Sequence, residues 1–130
     1  MHKTIIIDGE KIHDIPSFYT HINDIFMQDV DWKLGHSLDA FSDLLYGGFG
    51  LIESTEPIDL VWLNFEKNRT DLGRELTLNH YRQKLLKPNI FNMEIIDAQI
   101  DELEQGRGKT YFDILLEIIG EHENITLIPR

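Results

Sequence analysis

The sequence contains no cysteine. Disulfide bridges, thiolate nucleophiles and cysteine-ligated zinc are thereby excluded. Basic residues are scarce: 12 Lys and Arg stand against 23 Asp and Glu, a formal net charge of −11. A direct nucleic-acid binder needs clustered cations to neutralise phosphates, so that class is set aside in favour of a partner that is itself basic. No apolar run approaches the ~20 residues that span a bilayer. Acidic residues interrupt the short apolar run near the N-terminus, so neither a membrane protein nor a secretory leader is expected. The glycines of Gly47-Gly48-Phe49-Gly50 lack the following Lys-Ser/Thr of a phosphate-binding loop. The expectation is a cytoplasmic chain, monomeric, without cofactor or bound metal.

What is present suffices for a core. Hydrophobic residues make up 42% of the chain and aromatics 10%, which argues against disorder. One domain covering residues 1–130 is the expectation at this length. Charge is unevenly spread. Residues 1–66 carry 12 acids and 3 bases, residues 67–109 carry 7 and 8, and residues 110–130 carry 4 and 1. The acidity belongs to the two ends, and the near-neutral middle stands apart.

Three short runs rich in β-branched residues, Thr4–Ile7, Ile58–Leu63 and Ile125–Ile128, read as buried strands. Helical patterns separate them, which predicts an α/β fold with a parallel sheet. A first helix starts around Asp14–Ser17, where Pro16 suits a first turn, and carries Phe18, Ile22, Ile25 and Phe26 on one stripe. A second starts at Ser37 and stops at Gly47-Gly48. Phe65–Arg69 reads as a short helical turn. Glu75–Lys87 and Met93–Gln105 are helical candidates broken at Pro88-Asn89, and Thr110–Glu121 is a well-patterned last helix.

The second helix separates its chemistry by face. At 100° per residue Asp39 and Asp43 fall about 150° and about 170° from the centre of the stripe of Leu38, Phe41, Leu44 and Leu45. Like charges at i, i+4 cost a helix roughly 0.2–0.5 kcal/mol, and Asp39 recovers some of this from the helix N-terminus. In the last helix Asp113, Glu117 and Glu121 form a narrow acidic stripe opposite a broad apolar face. A solvated face explains one such ridge. Two on a small acidic domain point to a docking surface for a cationic partner.

The run Ser37-Leu38-Asp39-Ala40-Phe41-Ser42-Asp43-Leu44-Leu45 resembles the signature helix of the barstar family, intracellular inhibitors of a secreted bacterial ribonuclease. Ile6-Ile7-Asp8-Gly9-Glu10-Lys11-Ile12 resembles the family's first strand and turn, and Trp62-Leu63-Asn64-Phe65-Glu66-Lys67 the segment closing the second strand. Glu117 through Ile128 resembles the end of the last helix and the final strand. The blocks lie either side of residues 74–108, which read as an inserted helical segment.

The resemblance implies a barstar-like, three-stranded parallel sheet packed with helices, and inhibition by occlusion without catalysis. Asp39 and Asp43 would stand in for RNA phosphates against the cations of a basic ribonuclease or nuclease toxin. Glu117 falls at the family's last-helix contact glutamate. Tyr46 through Gly50 falls at a further contact loop, with Phe49 as its aromatic. Four positions depart from the family: Ser42 replaces an aromatic, Ser37 an asparagine, and Lys33 with Leu34 a pair of tyrosines, although Trp32 stands close by. Ser37, Ser42 and Lys33 are still counted with the partner-binding positions.

Two other classes remain open. One is an interaction module of the same fold that binds a different basic partner. The other is a small metal-dependent hydrolase, with His36, Asp39 and Asp43 at i, i+3 and i+7 as ligands. His80-Tyr81-Arg82 is a surface cluster or part of a site. Asp39 and Asp43 lie on a convex helix and not in a cleft, which argues against acid–base catalysis.

Overall fold

A computed structural model describes residues 3–53 and 56–130. The elements follow in the order β1 (Lys3–Asp8), a 3-10 turn (Gly9–Lys11), α1 (Ile15–Phe26), α2 (Leu38–Tyr46), β2 (Ile58–Leu63), α3 (Phe65–Asp71), α4 (Arg74–Leu85), α5 (Met93–Glu104), α6 (Tyr111–Gly120) and β3 (Ile125–Pro129). The strands form one parallel sheet in the order β1-β2-β3. This is the α/β architecture of a barstar-like fold.

The caps explain where the helices begin. Asp14 and Ser17 form a reciprocal capping box at α1, with Pro16 in its first turn, and Thr110 and Asp113 form another at α6. The Ser37 hydroxyl accepts from the Ala40 N–H at 3.1 Å and starts α2. Gly47 ends it at φ 89°, a conformation that a side chain resists.

The strands differ from the expectation of full burial. Ile5 and Ile7 of β1 are buried and Ile6 is 52% exposed, while β2 buries Ile58, Leu60 and Trp62 and turns Val61 outward. The register aligns Ile6, Val61 and Ile128 as one row on the outer face. Connection order supplies the reason. Both crossovers join adjacent strands in the same direction, and the right-handed rule then puts every helix on one side of the sheet. Alternation, not a continuous buried run, is the result.

The main core lies between that inner face and the helices. Trp62 stacks with Phe18 and meets Phe65 and Phe112 edge-on, and its indole N–H donates to Asn68 at 2.7 Å. Phe41, Leu44 and Leu45 of α2 belong to this core. Burying each is worth about 1.5–3 kcal/mol, which outweighs the repulsion between Asp39 and Asp43 on the opposite face. A second, smaller core of Leu78, Tyr81, Ile96, Ile100 and Leu103 joins α4 to α5. Arg74 ties that pair together by donating to the carbonyls of Leu103 at 3.0 Å and Glu104 at 3.4 Å.

Candidate acidic interface

Helix α2 presents both of its carboxylates to solvent. Asp39 and Asp43 are exposed, and neither has an ion-pair partner among the described residues. Their positions are fixed by the burial of Phe41, Leu44 and Leu45 on the opposite stripe. Ser37 is exposed at the N-cap, with its hydroxyl engaged there, and Ser42 is half-buried on the same helix.

The loops on either side of α2 are anchored to α1. The Leu34 N–H donates to Asn23 Oδ1 at 2.6 Å, and Asn23 Nδ2 donates back to the Leu34 carbonyl at 3.2 Å. That grip buries Leu34 while leaving Trp32 and Lys33 exposed. After α2, the Leu51 N–H donates to the Phe26 carbonyl at 2.8 Å, and Gly48 to the Ile52 carbonyl at 3.0 Å. Gly50, at φ 66°, lies so close to Phe26 that an added Cβ would stand 2.7 Å from its carbonyl oxygen. The loops meet through the rings of Trp32 and Phe49, 5.2 Å apart. Asp29 and Asp31, both exposed, extend the negative surface along the first loop. Sequence reasoning saw Trp32 but gave it no part in the site. Its contact spans a long loop and has no local signature.

Helix α6 packs beside α2, but its acidic stripe is partly engaged. Asp113 closes the capping box with Thr110. Glu117 accepts from Lys109 Nζ at 2.8 Å, and this hydrogen bond holds the Lys109 ammonium above its ordinary pKa. Glu121 follows the last turn and is exposed. Tyr46, 65% exposed at the end of α2, meets His122 ring-to-edge at 4.5 Å.

The trio weighed as metal ligands is not assembled. His36 precedes the N-cap and stacks on Tyr19 at 5.2 Å, with the planes 17° apart. It stands two residues before Leu38, where α2 begins, so the i, i+3, i+7 spacing does not set it on the helical face of Asp39 and Asp43. Among the described residues no group of three His, Asp or Glu is arranged to hold a metal ion. In the His80 cluster the rings of His80 and Tyr81 lie 5.8 Å apart. His80 packs edge-on to Tyr111, its pKa lowered by burial, while Arg82 reaches toward Glu104 at 3.9 Å. Among the described residues no helix is long and apolar enough to cross a membrane.

The arrangement sets two exposed carboxylates on α2 and joins the flanking loops through two aromatic rings. Among curated proteins no sequence matches the chain. The sequence profile described as Barstar (barnase inhibitor) matches residues 2–87. The matched stretch runs from β1 through α4 and contains α2 with both flanking loops. The block from Glu117 to Ile128, which also carried the resemblance, lies beyond it, whereas residues 74–87 of the segment 74–108 lie within it. The profile describes inhibitors rather than enzymes. A match over this much of the sequence, together with the parallel sheet and its helices, shows that the chain belongs to the barstar family.

Proposed function

We propose that this chain inhibits a basic ribonuclease, or confers immunity to a nuclease toxin, by setting α2 and its flanking loops into the enzyme's RNA-binding cleft. The observation that carries the reading is the exposure of Asp39 and Asp43 with no ion-pair partner among the described residues. Two unpaired carboxylates on a helix with a buried opposite face are ordered before the partner arrives, so little ordering entropy is lost on binding. The net charge of −11 steers a cationic enzyme toward them. Trp32 and Phe49 supply apolar contact beside the charges, and Lys33, Ser37, Ser42 and Tyr46 border them.

In this reading residues 1–130 act as one domain, and the paired helices α4 and α5 stand outside the occluding surface. Lys109, just before α6, occupies Glu117, so α2 carries most of the binding. The protein works as a cytoplasmic monomer. The test is stoichiometric. Purified chain added to microbial ribonucleases should stop RNA cleavage at one equivalent, and Asp39→Ala with Asp43→Ala should restore it. Binding of a basic protein without loss of ribonuclease activity would instead mark a non-inhibitory interaction module.

A further inference from the structure

We propose that the cleft between the end of α2 and the turn from α6 to β3 is a seat for one arginine side chain of the basic partner. The cleft encloses about 510 Å³ and is lined by Leu45, Tyr46, Glu121, His122, Glu123 and Asn124. It lies where two helices end together, α2 at Tyr46 and α6 at Gly120. Each helix brings the negative pole of its dipole to this point, and neither carries a basic residue in its last turn. Glu121 and Glu123 are exposed at the rim and have no ion-pair partner among the described residues. Four sources of negative potential therefore converge, and no Lys or Arg is among the residues lining the cleft.

Two further features favour a guanidinium over a simple ammonium. His122 is 6% exposed, and its Nε2 is buried with no hydrogen-bond partner. A buried nitrogen of this kind has a hydrogen bond to gain. The Tyr46 ring, largely exposed, stands edge-on beside it. A planar guanidinium lies flat on an aromatic face and still donates in several directions, to carboxylates at the rim and to an imidazole nitrogen inside. Tyr46 and Asp43 are three residues apart on α2, so the seat continues the acidic surface rather than forming a separate one.

The identity of the partner rests on the function proposed above, but the experiment needs only the isolated chain. The 130-residue protein is titrated with N-acetyl-L-arginine N-methylamide at constant ionic strength and followed by NMR, with the citrulline counterpart as control. Saturable shifts at Tyr46, His122 and Asn124 are expected, with half-saturation at about 10 mM or below. The Glu121→Gln, Glu123→Gln double variant should weaken them at least about tenfold, and Asp39→Asn with Asp43→Asn should leave them in place. Equal shifts with citrulline, shifts that follow Asp39 and Asp43 instead, or no saturation would overturn the proposal. Failure to inhibit any ribonuclease while the arginine titration succeeds would remove the proposed function and leave the seat standing. Inhibition without the titration would do the reverse.

Discussion

Lys109 donates its ammonium to Glu117 at 2.8 Å, so a carboxylate that the family resemblance assigns to the partner is already occupied within the chain. In the proposed complex Lys109 would compete with a cation of the nuclease for that oxygen. Lys109→Ala should therefore strengthen nuclease binding several-fold, mainly through a faster association rate, with little change in melting temperature. The gain should vanish when Glu117→Ala is added. A surface-plasmon double-mutant cycle gives the answer, and a Lys109→Ala effect that persists without Glu117 contradicts the competition.

Asp39 and Asp43 should behave differently in stability and in binding. Removing either from a desolvated charge pair in the complex should cost about 3 kcal/mol or more, beyond a hundredfold in Kd. In the free protein the same substitutions touch no core contact. Asp43→Ala relieves a like-charge pair worth roughly 0.2–0.5 kcal/mol, and Asp39→Ala also gives up a favourable place near the helix N-terminus. Calorimetric melting should show Asp43→Ala neutral or slightly stabilising. A large stability loss would make the acids structural.

Asn23 and Gly50 should matter through the loops they hold. Asn23→Ala leaves the buried Leu34 N–H and carbonyl without their partner. It should cost about 1–3 kcal/mol in urea unfolding and loosen the loop carrying Trp32 and Lys33. Gly50→Ala combines a positive φ with a close approach to the Phe26 carbonyl. It should cost about 1 kcal/mol or more, and binding should weaken with it. Unchanged urea midpoints for both variants would refute the anchoring role.

Stability should decline as pH falls below neutrality. Burial lowers the pKa of His21 and of His80 below the ordinary 6.5. Lys11 adds to the shift of His21, opposed by Asp8 and Asp24, and Lys84 adds to that of His80. The unfolded chain therefore takes up protons first, and stability complete above about pH 6.5 is lost progressively below it. Protonation of His21 also ends its acceptance of the Asp8 N–H, which stands 2.8 Å from Nε2. The Asp14 carboxyl is shifted down by Ser17, so its contribution disappears only in the acid range, below its ordinary value of 3.8. Melting temperatures should fall between about pH 7 and pH 5, and less steeply in His21→Gln with His80→Gln. A flat profile in the parent protein would contradict this.

Local pattern carried much of the fold. The apolar stripe of α1, the Ser37 cap, the Gly47 stop and the Thr110 cap are all encoded within a few residues, and the elements form where those signals stand. The half-open sheet was not legible from β1, since Ile5–Ile7 is apolar throughout although Ile6 faces outward. Its exposure follows from the order of connections. In the site, the outward aim of Asp39 and Asp43 follows from the same periodicity that buries Phe41 and Leu44. The pairing of Lys109 with Glu117 and the meetings of Trp32 with Phe49 and Tyr46 with His122 are tertiary. Each joins elements whose approach is decided only when the helices pack on the sheet.

The most direct test is RNA hydrolysis by a basic extracellular ribonuclease from the same organism, measured while this chain is added in increasing amounts. Hydrolysis should end at a one-to-one ratio with the parent chain, and should continue at full rate with the Asp39→Ala, Asp43→Ala variant. Full hydrolysis in the presence of excess parent chain, or equal inhibition by the variant, would contradict an inhibitor that works by presenting α2 to the enzyme.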